Sequence, residues 1–271
     1  MPNPDPQAIK GQQRQTWARG DYPSLATMIV FVAESLVDAS DLQAGWSVLD
    51  VATGSGNAAI AAARYRTQTT GLDFAAPLLA RARDRAAAEG LKINFTEGDA
   101  ENLPFPDASF DAVFSVFGSM FTPDQSKTAA EMARVCKPQG RIGLASWTPT
   151  GFVGQMFAAV GRHAPPPPGL PPPMLWGAQD HLAKLFGSAA KSFNHKKRTV
   201  AFRALSYEDF VTNFKTRFGP MIRAFERLDV SGQQALESDL LALAKKFDRN
   251  KAAPGPVAIE AEYLQTIIER A

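Results

Sequence analysis

From position 47 onward, short apolar runs alternate with longer segments whose apolar residues recur at helical spacing. Runs of 4–8 such residues are the mark of strands buried on both faces, and the spaced segments between them read as amphipathic crossovers. The runs at 47–52, 69–73, 93–97, 112–116 and 141–146 predict strands. The intervening sequence predicts helices near 58–64, 77–89 and 126–136, with a short turn around 104–109. Such βαβ repetition specifies a doubly wound, mostly parallel α/β sheet, with right-handed crossovers and ligands held at the carboxyl ends of the strands.

The flanking regions have a different texture. Residues 2–21 are polar and punctuated by proline, while 22–37 carry apolar positions at helical spacing, so residues 1–46 read as a helical lead-in or cap. The cofactor-binding core is expected over residues 47–150, and residues 151–271 are expected to complete the sheet and carry a helical lid. Within that last part, Pro165 to Pro168 and Pro171 to Pro173 bracket Gly169-Leu170, a stretch suited to an extended linker or stiff loop. A strand is expected at 192–205. Ser206-Tyr-Glu-Asp has the spacing of a helix start, and helices are expected at 207–218, 220–228 and 232–247. The closing segment, 257–268, fits helix or strand equally by local pattern.

A length of 271 residues with 45% hydrophobic content suffices for a full core. The 29 basic and 27 acidic residues nearly cancel, leaving no broad positive field for a polyanion, so no nucleic acid partner is expected. Cys136 has no intrachain cysteine partner, the first residues lack a signal-peptide pattern, and no apolar stretch reads as a membrane span. Together these point to a cytoplasmic protein; oligomeric state is not legible.

The sharpest local feature is Val48-Leu-Asp-Val-Ala-Thr-Gly-Ser-Gly-Asn57, a buried strand running into Gly54-x-Gly56 and an Ala-rich helix. Glycine serves where the chain turns with positive φ and where a ligand must touch backbone. With Ala59 the run also satisfies G-x-G-x-x-A, the dinucleotide fingerprint of a Rossmann-like domain, so the turn alone leaves the nucleoside cofactor open. Asp73 ends the second strand at the distance expected of a ribose-binding carboxylate, or of a helix cap. Glu97-Gly-Asp99-Ala100 ends the third, where an acceptor side chain beside a free amide could read the edges of an adenine.

Taken in order, Asp50-x-x-x-Gly54-x-Gly56, Gly71-x-Asp73, Gly98-Asp99-Ala100, Phe110-Asp111-Ala112-Val113 and Arg134-Val-Cys-Lys-Pro-Gln-Gly140 resemble the successive motifs of class I S-adenosylmethionine-dependent methyltransferases. The chain is similar, more narrowly, to the small-molecule group that includes the ubiquinone and menaquinone biosynthesis enzymes. The resemblance spans roughly 47–147. It implies S-adenosylmethionine as cofactor, with Gly54 and Gly56 against its methionine part, Asp50 ordering that loop, and Ala52 and Thr53 lining it. It further implies Asp73 on the ribose, Phe74 over an adenine face, Asp99 and the Ala100 amide on the adenine edge, and Ser115 beside the methionine moiety. Two departures stand out. Ala52-Thr53 replaces the usual Gly-Cys or Gly-Thr, and Lys137-Pro-Gln-Gly140 shifts one glycine of a bend.

Methyl transfer from a sulfonium is an in-line displacement, so alignment and exclusion of water matter most and no metal is required. His163, His181 and His195 lack metal-ligand spacing, and either of the first two could serve as a base on the substrate side. The substrate-side candidates are Trp17 and Tyr22 before the first strand, Phe117, Met120 and Phe121 after the fourth, and Trp147 after the fifth. Such residues line an apolar pocket or pack a core. Phe210, Phe214 and Phe218 recur at helical spacing in the expected lid. The reading that results is a methyltransferase acting at oxygen or carbon of a small, apolar or aromatic acceptor. Its alternatives are a cofactor-binding protein without turnover and a nicotinamide-dependent oxidoreductase. Asp50 and the Gly98-Asp99-Ala100 acceptor set weigh against the latter, since a dinucleotide domain usually has an apolar residue at the first position.

Overall fold

The computed structural model describes residues 6–167, 169–251 and 255–271; Pro168, from the proline-rich stretch, and residues 1–5, from the lead-in, lie outside them. Seven strands form one sheet in the order β3-β2-β1-β4-β5-β7-β6. The first five are β1 (Ser47–Val51), β2 (Gln68–Asp73), β3 (Ile93–Glu97), β4 (Phe110–Val116) and β5 (Cys136–Trp147), all mutually parallel. The long C-terminal strands β6 (Ala190–Ala204) and β7 (Val257–Arg270) close the edge, with β7 antiparallel to both neighbours. The ambiguous segment near the C-terminus is therefore strand. Its residues alternate little in burial because β7 lies between β5 and β6 and is covered on both faces.

The crossovers β1–α4–β2 and β2–α5–β3 use α4 (Asn57–Ala63) and α5 (Ala76–Ala88), and β4–α6–β5 uses α6 (Gln125–Val135). The chain moves outward from β1 in one direction through β2 and β3, and in the other through β4 and β5. Right-handed crossovers place α4 and α5 on one face and α6 on the opposite one. The reversal between β1 and β4 opens a crevice at their carboxyl ends, the place where such sheets hold ligands.

The lead-in was read as helical without bounds for its helices. α1 (Pro6–Trp17) lies in its polar, proline-punctuated part, and among residues 7–17 only Ile9 and Thr16 are buried, so no apolar stripe marks its limits. α2 (Tyr22–Ala26) and α3 (Val30–Ala39) are separated by a 3-10 turn at Thr27–Ile29. The 18 residues Tyr22–Ala39 are, against expectation, long and apolar enough to cross a bilayer. That composition here serves packing, with Val32, Ala33, Leu36 and Val37 of α3 buried in the main core.

α7 (Phe152–His163) and α8 (Gln179–Phe186) escaped the sequence pattern. α7 contains two glycines, weak helix formers, and packing against β7 and α11 (Val230–Phe247) overrides that propensity. α9 (Tyr207–Arg217) is capped by Ser206, whose hydroxyl accepts from the Asp209 amide, and α10 (Gly219–Glu226) follows directly. Cys136 caps the C-terminus of α6 and is the first residue of β5. Inside that strand Gln139 adopts φ 63, taking the left-handed conformation that a glycine would adopt more easily.

Candidate functional site

The β1 tip is organised by one buried carboxylate. Asp50 Oδ2 accepts from Thr53 Oγ1 at 2.5 Å and from the Ala59 amide at 2.9 Å, tying the turn to the first turn of α4. Burial pushes the Asp50 carboxyl up to about 7, although both donors favour its ionised form. The turn itself needs two left-handed glycines, Gly54 at φ 55 and Gly56 at φ 89. Only Gly54 lines the cavity. Gly56 instead lets α4 approach α5, for a Cβ there would lie 3.1 Å from the Ala82 Cβ.

Asp73 ends β2, and both of its oxygens are engaged from below. Oδ2 accepts from the Gly54 amide and Oδ1 from the Ala75 amide, each at 2.8 Å. The Phe74 amide is a third donor to this carboxylate, which offers about four lone-pair sites and so keeps capacity for a further donor. Burial raises its pKa to about 6, and the amide donors pull the other way. Asp73 therefore braces the glycine turn, a role that the sequence reading had not assigned.

At the end of β3, Asp99 Oδ1 accepts from the Glu101 amide at 2.9 Å, while Oδ2 accepts from Lys10 Nζ of α1 at 2.7 Å. Lys10 also reaches Glu101 Oε2 at 2.5 Å, and Glu101 Oε1 holds the Asp124 amide. Burial works against the Lys10 ammonium, but the two carboxylates outweigh it and hold its pKa above the ordinary value. Neither Lys10 nor Glu101 was singled out in the sequence. The signal available was the spacing of Lys10, Arg14 and Trp17, one face of a helix.

Between these groups lies a cavity of about 280 Å³. Its walls bring together Asp50, Ala52, Thr53, Gly54, Asp73, Phe74, Asp99 and Ala100 on the strand side, with Trp17, Tyr22, Phe117 and Phe121 farther along. Trp17 packs edge-on against Tyr22 (5.3 Å between centroids), Phe121 (5.0 Å) and Phe218 (5.7 Å), making one end of the cavity aromatic. Phe117 and Ala52, at the β4 and β1 tips, both take positive φ, 58 and 54. For a bulky residue that is a strained conformation, held here because the Phe117 ring stacks on Trp147 at 3.8 Å.

Four of the candidate residues stand behind the wall. Besides Gly56, Ser115 is buried with its hydroxyl donating to the Val51 carbonyl and accepting from the Ser119 amide, so it clamps β4 to β1. Met120 is buried in the core, and Trp147 supports Phe117 from beneath. None of the histidines lines the cavity. His163 pairs with Asp239, His181 with Gln125 and His195 with Thr266. Among the described residues no cluster of His, Cys, Asp or Glu has a metal-holding arrangement. Nor does any described residue beyond Pro123 line the cavity. Phe210 and Phe214 pack in the core, and only Phe218 reaches the aromatic end, behind Trp17 and Tyr22. The covering helix is α1, from the lead-in that the sequence offered as a cap, and the C-terminal helices expected as a lid do not line the cavity.

Comparison with known proteins agrees with this architecture. A family model described as a methyltransferase domain matches residues 48–140. An uncharacterized protein of Mycobacterium tuberculosis is 35% identical over 251 residues, covering 91% of this chain and 92% of that protein. Demethylmenaquinone methyltransferase of Deinococcus radiodurans is 44% identical over 123 residues, 44% of this chain and 51% of the enzyme. The crystal structure of a putative methyltransferase from Bacillus halodurans superposes with a TM-score of 0.60 at 20% identity, covering 88% of this chain and 97% of that one. With the strand order, the reversal at β1 and β4 and the carboxylates at the strand tips, these likenesses show that the chain belongs to the class I S-adenosylmethionine-dependent methyltransferases.

Proposed function

We propose that the cavity binds S-adenosylmethionine and that the enzyme methylates a small, apolar or aromatic acceptor at oxygen or carbon, in the cytoplasm. The observation that carries the cofactor assignment is Asp73, a buried carboxylate at the β2 tip that keeps acceptor capacity beside a glycine turn. The ribose hydroxyls supply donors to that remaining capacity. Phe74 offers an aromatic face for adenine, Asp99 and the Ala100 amide an acceptor and a donor for its edge, and Ala52, Thr53 and Gly54 a wall for the methionine part. Gly56 and Ser115 act indirectly, through helix packing and the β1–β4 clamp. When bound, the cofactor supplies an electrophilic methyl group on a sulfonium.

The protein's own contribution is alignment and dryness. Trp17, Tyr22, Phe117 and Phe121 present apolar faces, and burial raises the Tyr22 phenol to about 12, so it stays protonated. The cavity holds no histidine; Asp73 and Asp99 sit at the nucleoside end, and Asp50 is tied to Thr53 and the Ala59 amide at the glycine turn. An acceptor suited to this setting carries its own acidity, as a phenol, hydroquinone or enol does. The similarity to an enzyme named for demethylmenaquinone points the same way. Transfer of labelled methyl from S-adenosylmethionine to a panel of hydroquinones and phenols, aliphatic amines and carboxylic acids tests this reading. The hydroquinones and phenols should be methylated; transfer confined to amines or acids would overturn the acceptor class. Binding of cofactor with no transfer to any acceptor would favour a protein without turnover.

The pH dependence should carry two opposite signs. Asp73 titrates near 6 and Asp50 near 7 in the fold, above the model-peptide value of about 3.9. Between those values the folded chain binds more protons than the unfolded one, so their contribution to stability falls as pH rises from about 4 to 7. Ribose binding, in contrast, needs ionised Asp73. Affinity for S-adenosylhomocysteine should therefore fall about tenfold per pH unit below 6. The thermal midpoint of the free protein should rise as pH falls from 7 to 5, a range that includes the onset of the affinity loss. Titration and melting curves on one set of buffers check both; parallel trends would contradict the assignment.

A further inference from the structure

α1 forms the outer wall of the cavity with a single face: Lys10, Gln13, Arg14 and Trp17 look across at Asp73, Phe74 and Asp99. Yet among residues 7–17 only Ile9 and Thr16 are buried. A helix with so little apolar burial belongs to the low-stability end of a structure, where local opening is cheap. Its attachments are mostly polar and differ between its ends.

The C-terminal end is pinned by backbone. Gly20 bridges to Phe218, the Asp21 amide donates to the Arg217 carbonyl at 3.1 Å, and Gly219 sits so close that a Cβ would lie 1.9 Å from the Thr16 carbonyl oxygen. Arg223 adds a bond to Thr16 Oγ1 at 2.9 Å. The middle of the helix is held by Gln13 Nε2 donating to the Phe121 carbonyl at 2.9 Å, and Arg14 stands 4.0 Å from Glu97. Toward the N-terminal end, beside the buried Ile9, Lys10 is ion-paired to Asp99 and Glu101, its side chain 17% exposed and that of Glu101 5%.

We propose that α1 is a gate hinged at residues 18–21 and that Lys10 is its catch, so that cofactor exchange waits on the release of Lys10 from Asp99 and Glu101. The proposal rests on the cavity being the S-adenosylmethionine site. The two carboxylates divide the work. Asp99 is the acceptor suited to an adenine amino group, while Glu101, fixed through its other oxygen by the Asp124 amide, keeps a partner for Lys10 once Asp99 is taken. The gate can thus close again over bound cofactor, and Lys10 is a positioning residue that acts through the helix it holds.

Stopped-flow tryptophan fluorescence with S-adenosylhomocysteine reads the gate, since Trp17 lines the cavity. In the wild type, the observed binding rate should level off with ligand concentration at the opening rate. Lys10→Met should raise association and dissociation rates together by roughly tenfold, equivalent to about 1.4 kcal/mol, with Kd changing by less than about threefold. Lys10→Arg should restore slow exchange. A faster dissociation with unchanged association would make Lys10 an ordinary contact, and unchanged rates would remove its role; either overturns the proposal. Amide exchange of the wild-type chain gives a readout independent of how well the variants fold. α1 amides should exchange faster than those of β1 and β4 and slow on adding S-adenosylhomocysteine, and equal protection with and without it would also overturn the gate. Absence of any binding of this ligand defeats the cofactor reading and the gate with it, whereas binding with rates insensitive to Lys10 defeats the gate alone.

Discussion

Asp73→Ala should weaken S-adenosylhomocysteine binding by at least about 100-fold, because two hydrogen bonds to a charged group, each worth about 1.5–3 kcal/mol, disappear together. The same substitution leaves the Gly54 and Ala75 amides without their acceptor, so the glycine turn loosens as well. Binding and stability respond differently, which separates the two roles. Burial holds the Asp73 carboxyl near 6, so at pH 8 its ionised form is a cost to the folded chain that ligand hydroxyls relieve. Removing the group should therefore lower the melting temperature at pH 8 only by what the freed amides cost, while abolishing tight binding. Asp73→Asn keeps one acceptor and should fall between the two. Calorimetric titration beside thermal melts measures both quantities, and an Asp73→Ala protein that binds within about threefold of wild type would contradict the ribose assignment.

A second large effect is expected from the addition of one methyl group. Gly118 follows the strained Phe117 at the β4 tip, and a Cβ on it would lie 2.5 Å from the Ala52 carbonyl oxygen and 2.6 Å from the Ala52 Cβ. Neither obstacle is the free end of a side chain. Ala52 is itself left-handed at φ 54, and the Ser115 hydroxyl clamps the adjoining Val51 carbonyl. Overpacking of this kind costs about 1–3 kcal/mol. Gly118→Ala should accordingly lower the melting temperature by roughly 2–12 °C, at about 2–4 °C per kcal/mol for a chain somewhat below this size. It should also pry β1 from β4 at the cofactor crevice and weaken ligand binding. Ala52→Gly in the same protein removes the Cβ contact but leaves the carbonyl one, so the double variant should regain part of the loss. Full stability in Gly118→Ala alone would show that the two strand tips are not in rigid contact.

The parallel strands were legible because each is a short apolar run ended by a turn residue, a pattern that survives without knowledge of neighbours. β7 was not, because Val257–Arg270 mixes alanine, glutamate and apolar residues in a way that fits either element; its place between β5 and β6 decides the matter. The lead-in was read as helical, but the task of α1 was hidden by its polarity. Its interactions are ion pairs, amide bonds and one tryptophan, none of which leaves an apolar period, and so the residue bridging Asp99 and Glu101 was marked by nothing but its helical spacing to Arg14 and Trp17. Motif residues were legible by position but less so by task. Gly54 and Asp73 reach the cavity, whereas Gly56 and Ser115 stand one layer behind it, because a motif records where the backbone must turn or pack and does not distinguish contact from support. The same limit applies to Met120 and Trp147, whose aromatic or sulfur-bearing side chains at strand ends are spent on core packing.

A crystal structure of the chain grown with S-adenosylhomocysteine tests the cofactor assignment most directly. The ribose hydroxyls should lie on the Asp73 carboxylate, the adenine against Phe74 with its edge at Asp99 and Ala100, and the sulfur should face the end lined by Tyr22 and Phe117. Density for the ligand anywhere else, or crystals and solution titrations in which it does not bind at all, would contradict the account.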